Sequence, residues 1–451
     1  MLCAASALSA DISEQEFDIA VALNTGVIFG LQDSSLLRID TLTGNVHTEL
    51  HNHDKLCGWP QLLEANGDLW AVPCAAHHVL KISQVSGASK VSIDDLGTAF
   101  CKWRHAAQGA NGLIYAMPWQ APAVLRIDPV SSAVSSLGHL AVTSKGKFGF
   151  TVKADEYVCG IPWAARMVLC IDTRTDETMQ FGDFSDLEGK WRTAAANNQG
   201  IIFALPVEAD SVLRIDPKAR SVRELEHIPT GRFKPILLSR WAGGLAVDSW
   251  LVALPGFDCS TLQVDMVREE VRTHELVCQG NTLHSWHSAV VAENGAIYAV
   301  PFSATAALKI NFQGASTQVI QLGDFGNGLG KWGHAVLSHT GDVYGVPWSA
   351  EKVLKIRPQN DQVTTFGNFE PGPARWKAGV VSSNGLIYCI PETAQTVLRI
   401  DPASDTVLQL PVALPPVLLP MTAVTSETST TTAPRIALAQ SWKTSTQTSE
   451  H

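Results

Sequence analysis

Charge is scarce in this chain. Asp, Glu, Lys and Arg make up 17% of its 451 residues, against roughly a quarter in ordinary soluble domains. The formal charge of −10 is mild for this length. It argues against nucleic acid as a partner, which needs clustered Lys and Arg to displace condensed counterions. No apolar run approaches the roughly 18 residues of a membrane-spanning helix, so no membrane span is expected. No segment holds a 3.6-residue apolar period for three turns, which leaves helices no obvious place. None of the nine cysteines forms a C-x-x-C pair, and no Asn-x-Ser/Thr sequon occurs. An odd count of unpaired-looking cysteines points to reduced thiols and an intracellular protein, with secretion left open. The familiar catalytic signatures are missing as well: no G-x-S-x-G, no H-E-x-x-H and no G-x-x-x-x-G-K-[ST]. Gly328-Leu329-Gly330-Lys331-Trp332-Gly333 has the spacing of a dinucleotide loop. A strand is expected after it, so no helix N-terminus would meet a phosphate. No motif requires a cofactor.

What the chain does have is one phrase said nine times. Its clearest copy runs Lys331-Trp332-Gly333-His334-Ala335-Val336, then Thr340-Gly341-Asp342-Val343-Tyr344-Gly345-Val346-Pro347-Trp348, then Val353-Leu354-Lys355-Ile356. The proline recurs at Pro73, Pro118, Pro162, Pro206, Pro255, Pro301, Pro347 and Pro391, at intervals of 45, 44, 44, 49, 46, 46 and 44 residues. A further copy, with Gln32 in the proline's place, opens the series. Repeats 1 to 9 begin at Phe17, Trp59, Trp103, Phe148, Trp191, Trp241, Trp286, Trp332 and Trp376. Units of this size cannot each bury a core, so one domain over 17–410 is expected rather than several.

Within a repeat the pattern reads as four short strands. In repeat 3, Trp103 to Ala110 is rich in small residues and is followed by Asn111-Gly112, a hairpin signal in which both residues are expected to accept positive φ. Leu113 to Met117 is a second strand, closed by Pro118, which cannot donate to a ladder. Ala123 to Ile127 is a third, ended by the turn at Asp128-Pro129. Ala133 to Leu137 is a fourth. In repeats 4 and 6, Ala154-Asp155-Glu156 and Asp248-Ser249-Trp250 replace the usual turn. Four antiparallel strands in 40–50 residues describe a propeller blade, and the phrase resembles the β-propeller repeats of the YVTN, NHL and WD40-like kind. The resemblance implies an all-β fold, a single propeller of nine blades, with eight as the alternative. It implies little about function, because propellers host unrelated activities. The flanks differ in composition. Residues 1–16 read as a disordered lead, and 411–451, rich in Pro and then in Ser and Thr, as a disordered tail.

Strand alternation places the loop before each tryptophan and the loop after each proline on one face. That face is the candidate binding rim for a protein or peptide, or for a glycan, in a monomer. It gathers Lys102 and Trp103, Lys190 and Trp191, Arg240 and Trp241, Lys331 and Trp332, and Arg375 and Trp376. Trp119, Trp163 and Trp348 follow their prolines on the same side. The competing account of the opening tryptophans is wedge packing between blades, with each indole N–H finding a carbonyl. A preceding cation would collect anions or pair with carboxylates such as Asp183 and Asp324. His105 and His334 share the place two residues after the tryptophan, where they either reach the channel mouth or serve as satisfied polar groups. His47, His51, His53, Asp54 and Cys57 are metal-ligand types crowded between repeats 1 and 2, in no established spacing. Cys57 and Cys101, each two residues before a tryptophan, are candidates to pair. A non-enzymatic interaction module is the first expectation. A hydrolase or lactonase with a metal at the channel mouth is the alternative, and it requires a few odd polar residues at one spot.

Overall fold

A computed structural model describes residues 20–413 except 24, 33–34, 52–58, 84–86, 92–100, 141–144, 229–240, 257–258, 277–284 and 314–315. The lead at 1–16, the chain beyond 413, and the candidates His53, Asp54, Cys57 and Arg240 lie outside the described residues.

Each repeat is four consecutive antiparallel strands. In repeat 3 they are Trp103–Gln108, Ile114–Pro118, Val124–Ile127 and Val134–Leu137, from inner to outer. The second strand is buried along its whole length and the outer strand is half-exposed. A strand covered on both faces reads as a continuous apolar run, which is what Ile114 to Met117 shows. Seven repeats form separate four-stranded sheets, and repeats 1 and 9 join into one eight-stranded sheet. The junction is parallel: the outer strand of repeat 9, Thr406–Ala413, sets Val412 opposite Val46 and Ala413 opposite His47 in the outer strand of repeat 1, Val46–His51. Pro411 to Ala413 therefore belong to a strand, and so do His47 and His51, which were expected in a loop.

The core lies between sheets. Ile114, Ala116 and Leu125 of repeat 3 pack on Trp70, Val72 and Val79 of repeat 2. One such apolar cluster spans each pair of successive repeats. Another joins Tyr388, Ile390 and Val397 of repeat 9 to Ile28, Leu37 and Ile39 of repeat 1. The opening tryptophans are wedged into these clusters. Trp103 is 3% exposed, Trp191 2% and Trp376 1%. Their Nε1–H groups donate to the carbonyls of Ala123 (2.9 Å), Ser211 (2.7 Å) and Thr396 (2.7 Å), where the third strand begins.

The turn opposite the tryptophans works differently from the expectation. In repeats 3, 7 and 9 only the glycine of Asn-Gly takes positive φ, at Gly112 (82°), Gly295 (73°) and Gly385 (81°), whereas in repeat 2 both residues do, as expected. The loop is longer than two residues, with Gln108 opposite Ile114. This frees asparagine for a second task. Asn111 Nδ2 donates to Thr173 O of repeat 4 (2.6 Å), Asn294 to Pro358 O of repeat 8 (3.3 Å), and Asn384 to Thr41 O of repeat 1 (3.2 Å). True two-residue turns occur at Asn66-Gly67, Asp155-Glu156 and Asp248-Ser249. There the first residue does sit at positive φ, 53°, 51° and 46°.

The tyrosine and the third-strand cation complete the joint. Tyr298 Oη and Lys309 Nζ both donate to Asp361 of repeat 8 (2.8 Å each), and Tyr344 Oη and Lys355 Nζ to Asp405 of repeat 9 (3.3 and 2.6 Å). Tyr115 donates to Asp176 (2.6 Å), which also pairs with Arg126 (3.2 Å). Each of these aspartates is held at positive φ in its own turn, a region Asp tolerates. Repeat 4 replaces both partners with cysteine. Cys159 stands where Tyr115 does, Cys170 stands opposite it in register, and the two are disulfide-bonded. The turn of repeat 5 that faces them carries Arg220 at the aspartate's position.

Candidate functional site

The tryptophan-side face is stitched by backbone. Cys74 O accepts from Lys102 N (2.9 Å), Lys102 O from Trp119 N (2.8 Å), Trp119 O from Lys147 N (2.8 Å), Lys147 O from Trp163 N (2.8 Å) and Trp163 O from Lys190 N (3.0 Å). The same alternation runs from Ser285 through Phe302, Lys331, Trp348 and Arg375 to Glu392. The residue before each tryptophan and the residue after each proline are thus fixed as neighbours. This explains Cys101, which bonds Cys74 rather than Cys57, because Cys74 is the post-proline residue of the preceding repeat. Cys259 is also in a disulfide, and Cys389 is a buried free thiol. The reduced-thiol expectation fails here because these pairs are set by register between strands and loops, which no C-x-x-C spacing announces.

The cations of the expected rim turn inward. Lys102, Lys147, Lys190, Lys331 and Arg375 are 1 to 8% exposed. Lys190 Nζ donates to the carbonyls of Ser185 (3.1 Å) and Leu187 (2.7 Å) in its own loop, and Lys331 Nζ to Gly326 (3.2 Å) and Gly328 (2.6 Å). Arg375 does the same to Glu370 O and Ala350 O. Burial pulls Lys190 and Lys331 down to about 8. These ammonium groups serve as loop staples. Trp103, Trp191, Trp241, Trp332 and Trp376 are buried beside them.

Of the candidate rim, Trp119, Trp163 and Trp348 remain half-exposed. Trp119 and Trp163 stand 5.8 Å apart, centroid to centroid. The Arg104 guanidinium lies over Trp119 at 4.7 Å and that of Arg192 over Trp163 at 5.9 Å. The result is an unbroken row of cation, indole, indole, cation across repeats 3 to 5. Two glycines make room for it: a Cβ on Gly146 would meet the Trp119 ring at 2.2 Å, and one on Gly149 would meet Trp163 at 3.2 Å. Arg104, Gly149 and Arg192 occupy one repeat position, just after the opening aromatic; elsewhere it holds Pro60, Ala242, His287, Gly333 and Lys377. A second aromatic group lies in repeats 7 and 8, where Phe302 stacks on His287 (3.8 Å) and meets Trp348 edge-on (5.9 Å). Sequence reasoning missed both arginines. The signal was present in the irregular filling of that one position.

His105 and His334 are joint residues. Thr151 N–H of repeat 4 donates to His105 Nδ1 (3.2 Å) and Gly379 N–H of repeat 9 to His334 Nδ1 (3.3 Å). Gln61 Oε1 accepts from Ala106 N (2.8 Å) and Ser288 Oγ from Ala335 N (3.0 Å) at the equivalent places. One side chain two residues past the opening aromatic thus satisfies an inner-strand N–H of the next repeat, at the bulge where pairing with the second strand shifts. Burial, reinforced by the charge of Arg192, holds His105 at about 3, and burial holds His334 at about 4.

On the opposite, turn-side face, Ala110, Lys153, Asp155, Glu156, Asn197 and Asn198 line an open cleft of about 700 Å³. Among the described residues no three of His, Cys, Asp or Glu converge as metal ligands, and no helix is long and apolar enough to cross a membrane.

No family model and no curated protein matches the chain. Solved structures do. Dihydro-heme d1 dehydrogenase NirN in complex with DHE superposes with a TM-score of 0.52 at 11% identity, over 77% of this chain and 74% of that one. A streptogramin B lyase gives 0.46 at 12% identity, over 65% and 92%. The β-propeller domain of Cps50 (Swd1) from Myceliophteria thermophila gives 0.38 at 12% identity, over 68% and 94%. The fold is a β-propeller. Propellers host unrelated activities, so the function has to be argued from the site.

Proposed function

We propose that this β-propeller is a non-enzymatic interaction module. In this reading it is a closed ring of nine blades whose tryptophan-side face docks a segment of a partner protein on the row Arg104, Trp119, Trp163 and Arg192. The blade count rests on the shared cores: each repeat packs on the next, and the ninth packs on the first. The observation that carries the function is the row itself. It is the described place where half-exposed indoles and cations break the repeat's uniformity side by side. A ring of identical blades needs no such irregularity, whereas a partner without ninefold symmetry does. Trp and Arg are also the residue types that dominate interface energetics. Disulfides at Cys74–Cys101 and Cys159–Cys170 favour an oxidising compartment for the folded protein. Thiol titration of the denatured, unreduced protein tests that point.

The reading is tested with peptide and glycan arrays probed by the wild type, by a Trp119→Ala, Trp163→Ala double variant, and by Lys153→Ala on the turn side. Binding that survives Lys153→Ala and disappears in the double variant supports it. Binding indifferent to both tryptophans, or sensitive to Lys153 alone, rejects it.

A further inference from the structure

We infer that the partner segment is acidic, with a carboxylate held at the arginine ends of the row and a flat or apolar side chain laid on Trp119 and Trp163. The inference rests on the docking reading above and adds the chemistry of the ligand. An arginine held over an indole, as Arg104 is over Trp119 at 4.7 Å, carries a planar fork of donors of the kind that meets a carboxylate with two parallel hydrogen bonds. Both arginines are half-exposed, and a guanidinium carries five donors in one plane. Arg104 and Arg192 share one neighbourhood, because the charge of Arg192 reaches His105, the residue beside Arg104. His105 accepts a backbone N–H and is neutral, so the positive charge at this end of the row is that of the arginines.

The side chains beside the indoles favour a peptide over a sugar. Sugar hydroxyls are recognised by amides and carboxylates placed next to a stacking ring. Here each indole carries a guanidinium over its ring and the nearby amide Gln120 is engaged with Cys101 N (3.2 Å), although a carboxylate, that of Glu208, also stands by the Gly189 edge of Trp163. The second aromatic group, at Phe302 and Trp348, has His287 but no arginine in that position. It serves as an internal comparison.

The test uses the full chain and a synthetic peptide array of matched acidic, neutral and basic peptides, each with and without an aromatic residue, read at low and high NaCl. Acidic aromatic peptides are expected to bind best and to weaken as salt rises. Arg104→Gln with Arg192→Gln is expected to weaken them about tenfold or more, a charge-assisted bond being stronger than a neutral one. Arg104→Lys is expected to rescue only in part, since an ammonium lacks the fork. All variants alter half-exposed residues, and unchanged circular dichroism and melting confirm folding. If the preferred ligands are basic or neutral peptides, and they still depend on Trp119 and Trp163, the inference is overturned while the docking reading stands. Acidic peptides that bind equally well to the double arginine variant overturn it too. Loss of dependence on both tryptophans removes the docking reading as well.

Discussion

The two faces of this propeller obey different rules. On the turn side the same joint is built again and again: an asparagine and a tyrosine reach a carbonyl of the next repeat, and a third-strand cation reaches an acid there, as at Tyr298, Lys309 and Asp361. On the tryptophan side the backbone belt is equally regular, yet the side chains it exposes differ from repeat to repeat. Trp119, Trp163, Val207, Gly256, Phe302, Trp348 and Glu392 hold one position. The uniform half joins one repeat to the next, and the irregular half leaves room for the docking role proposed above. Substitutions in the joints should therefore cost stability, and substitutions in the Arg104–Arg192 row should not.

The largest effect is expected in the wedge. Trp191→Ala removes a 2%-exposed indole, its bond to Ser211 O and its edge contact with Phe184 (5.0 Å). A loss of about 3–5 kcal/mol is expected for a cavity of this kind, read as a lowered midpoint in chemical denaturation. A loss below about 1 kcal/mol would move the opening tryptophans from the joint back to the rim.

The histidines sharpen the comparison by pH. An unfolded imidazole protonates near 6.5, whereas folded His105 and His334 do so only near 3 and 4. Between those values the unfolded chain binds more protons, so acid favours unfolding. The contribution is whole above pH 6.5 and is lost as pH falls towards 4. At pH 5 each histidine is expected to cost about 2 kcal/mol relative to pH 7. His334→Gln should flatten that slope while keeping the joint, because Gln61 already performs the same task in repeat 2. A pH profile of stability unchanged by the substitution would place the imidazole outside the joint.

How much of this was legible beforehand follows from the same division. The fold could be read because residues that recur in most repeats serve the joints: Asn111, Tyr115 and Arg126 have counterparts in Asn294, Tyr298 and Lys309. Constancy misled at one point. The cation that precedes most of the tryptophans turns inward, and at Lys190 and Lys331 it satisfies carbonyls of its own loop, but a recurring surface charge looks the same in sequence. The site was hidden for the opposite reason. Arg104 and Arg192 sit where neighbouring repeats carry Gly149 and Ala242, so no pattern marked them. They acquire meaning only when Trp119 and Trp163 are seen between them. His47 and His51 were misplaced for a local reason: the outer strand of repeat 1 runs on, with His47 opposite Arg38 and His51 opposite Ser35, into a polar segment that reads as a loop.

A smaller loss is expected at a single latch. Asp361→Ala strips Tyr298 Oη and Lys309 Nζ of a shared acceptor in a half-buried joint. About 1–2 kcal/mol is expected, and Lys309→Met should recover part of it by removing the stranded ammonium. Strict additivity of the two substitutions would mean that the pair does not act as one unit.

The smallest effect on folding belongs to the row. Trp119→Ala keeps the belt, since Trp119 contributes its N–H to Lys102 O and its carbonyl to Lys147 N through backbone alone. What is lost is one cation–π contact with Arg104, one ring contact with Trp163 and the packing of the ring on Gly146, all at a half-exposed side chain and together worth about 1 kcal/mol. The same substitution should abolish peptide capture. A melting shift as large as that of Trp191→Ala would make Trp119 a second wedge. The tryptophan-side face would then be as structural as the turn side, and the contrast between them would vanish.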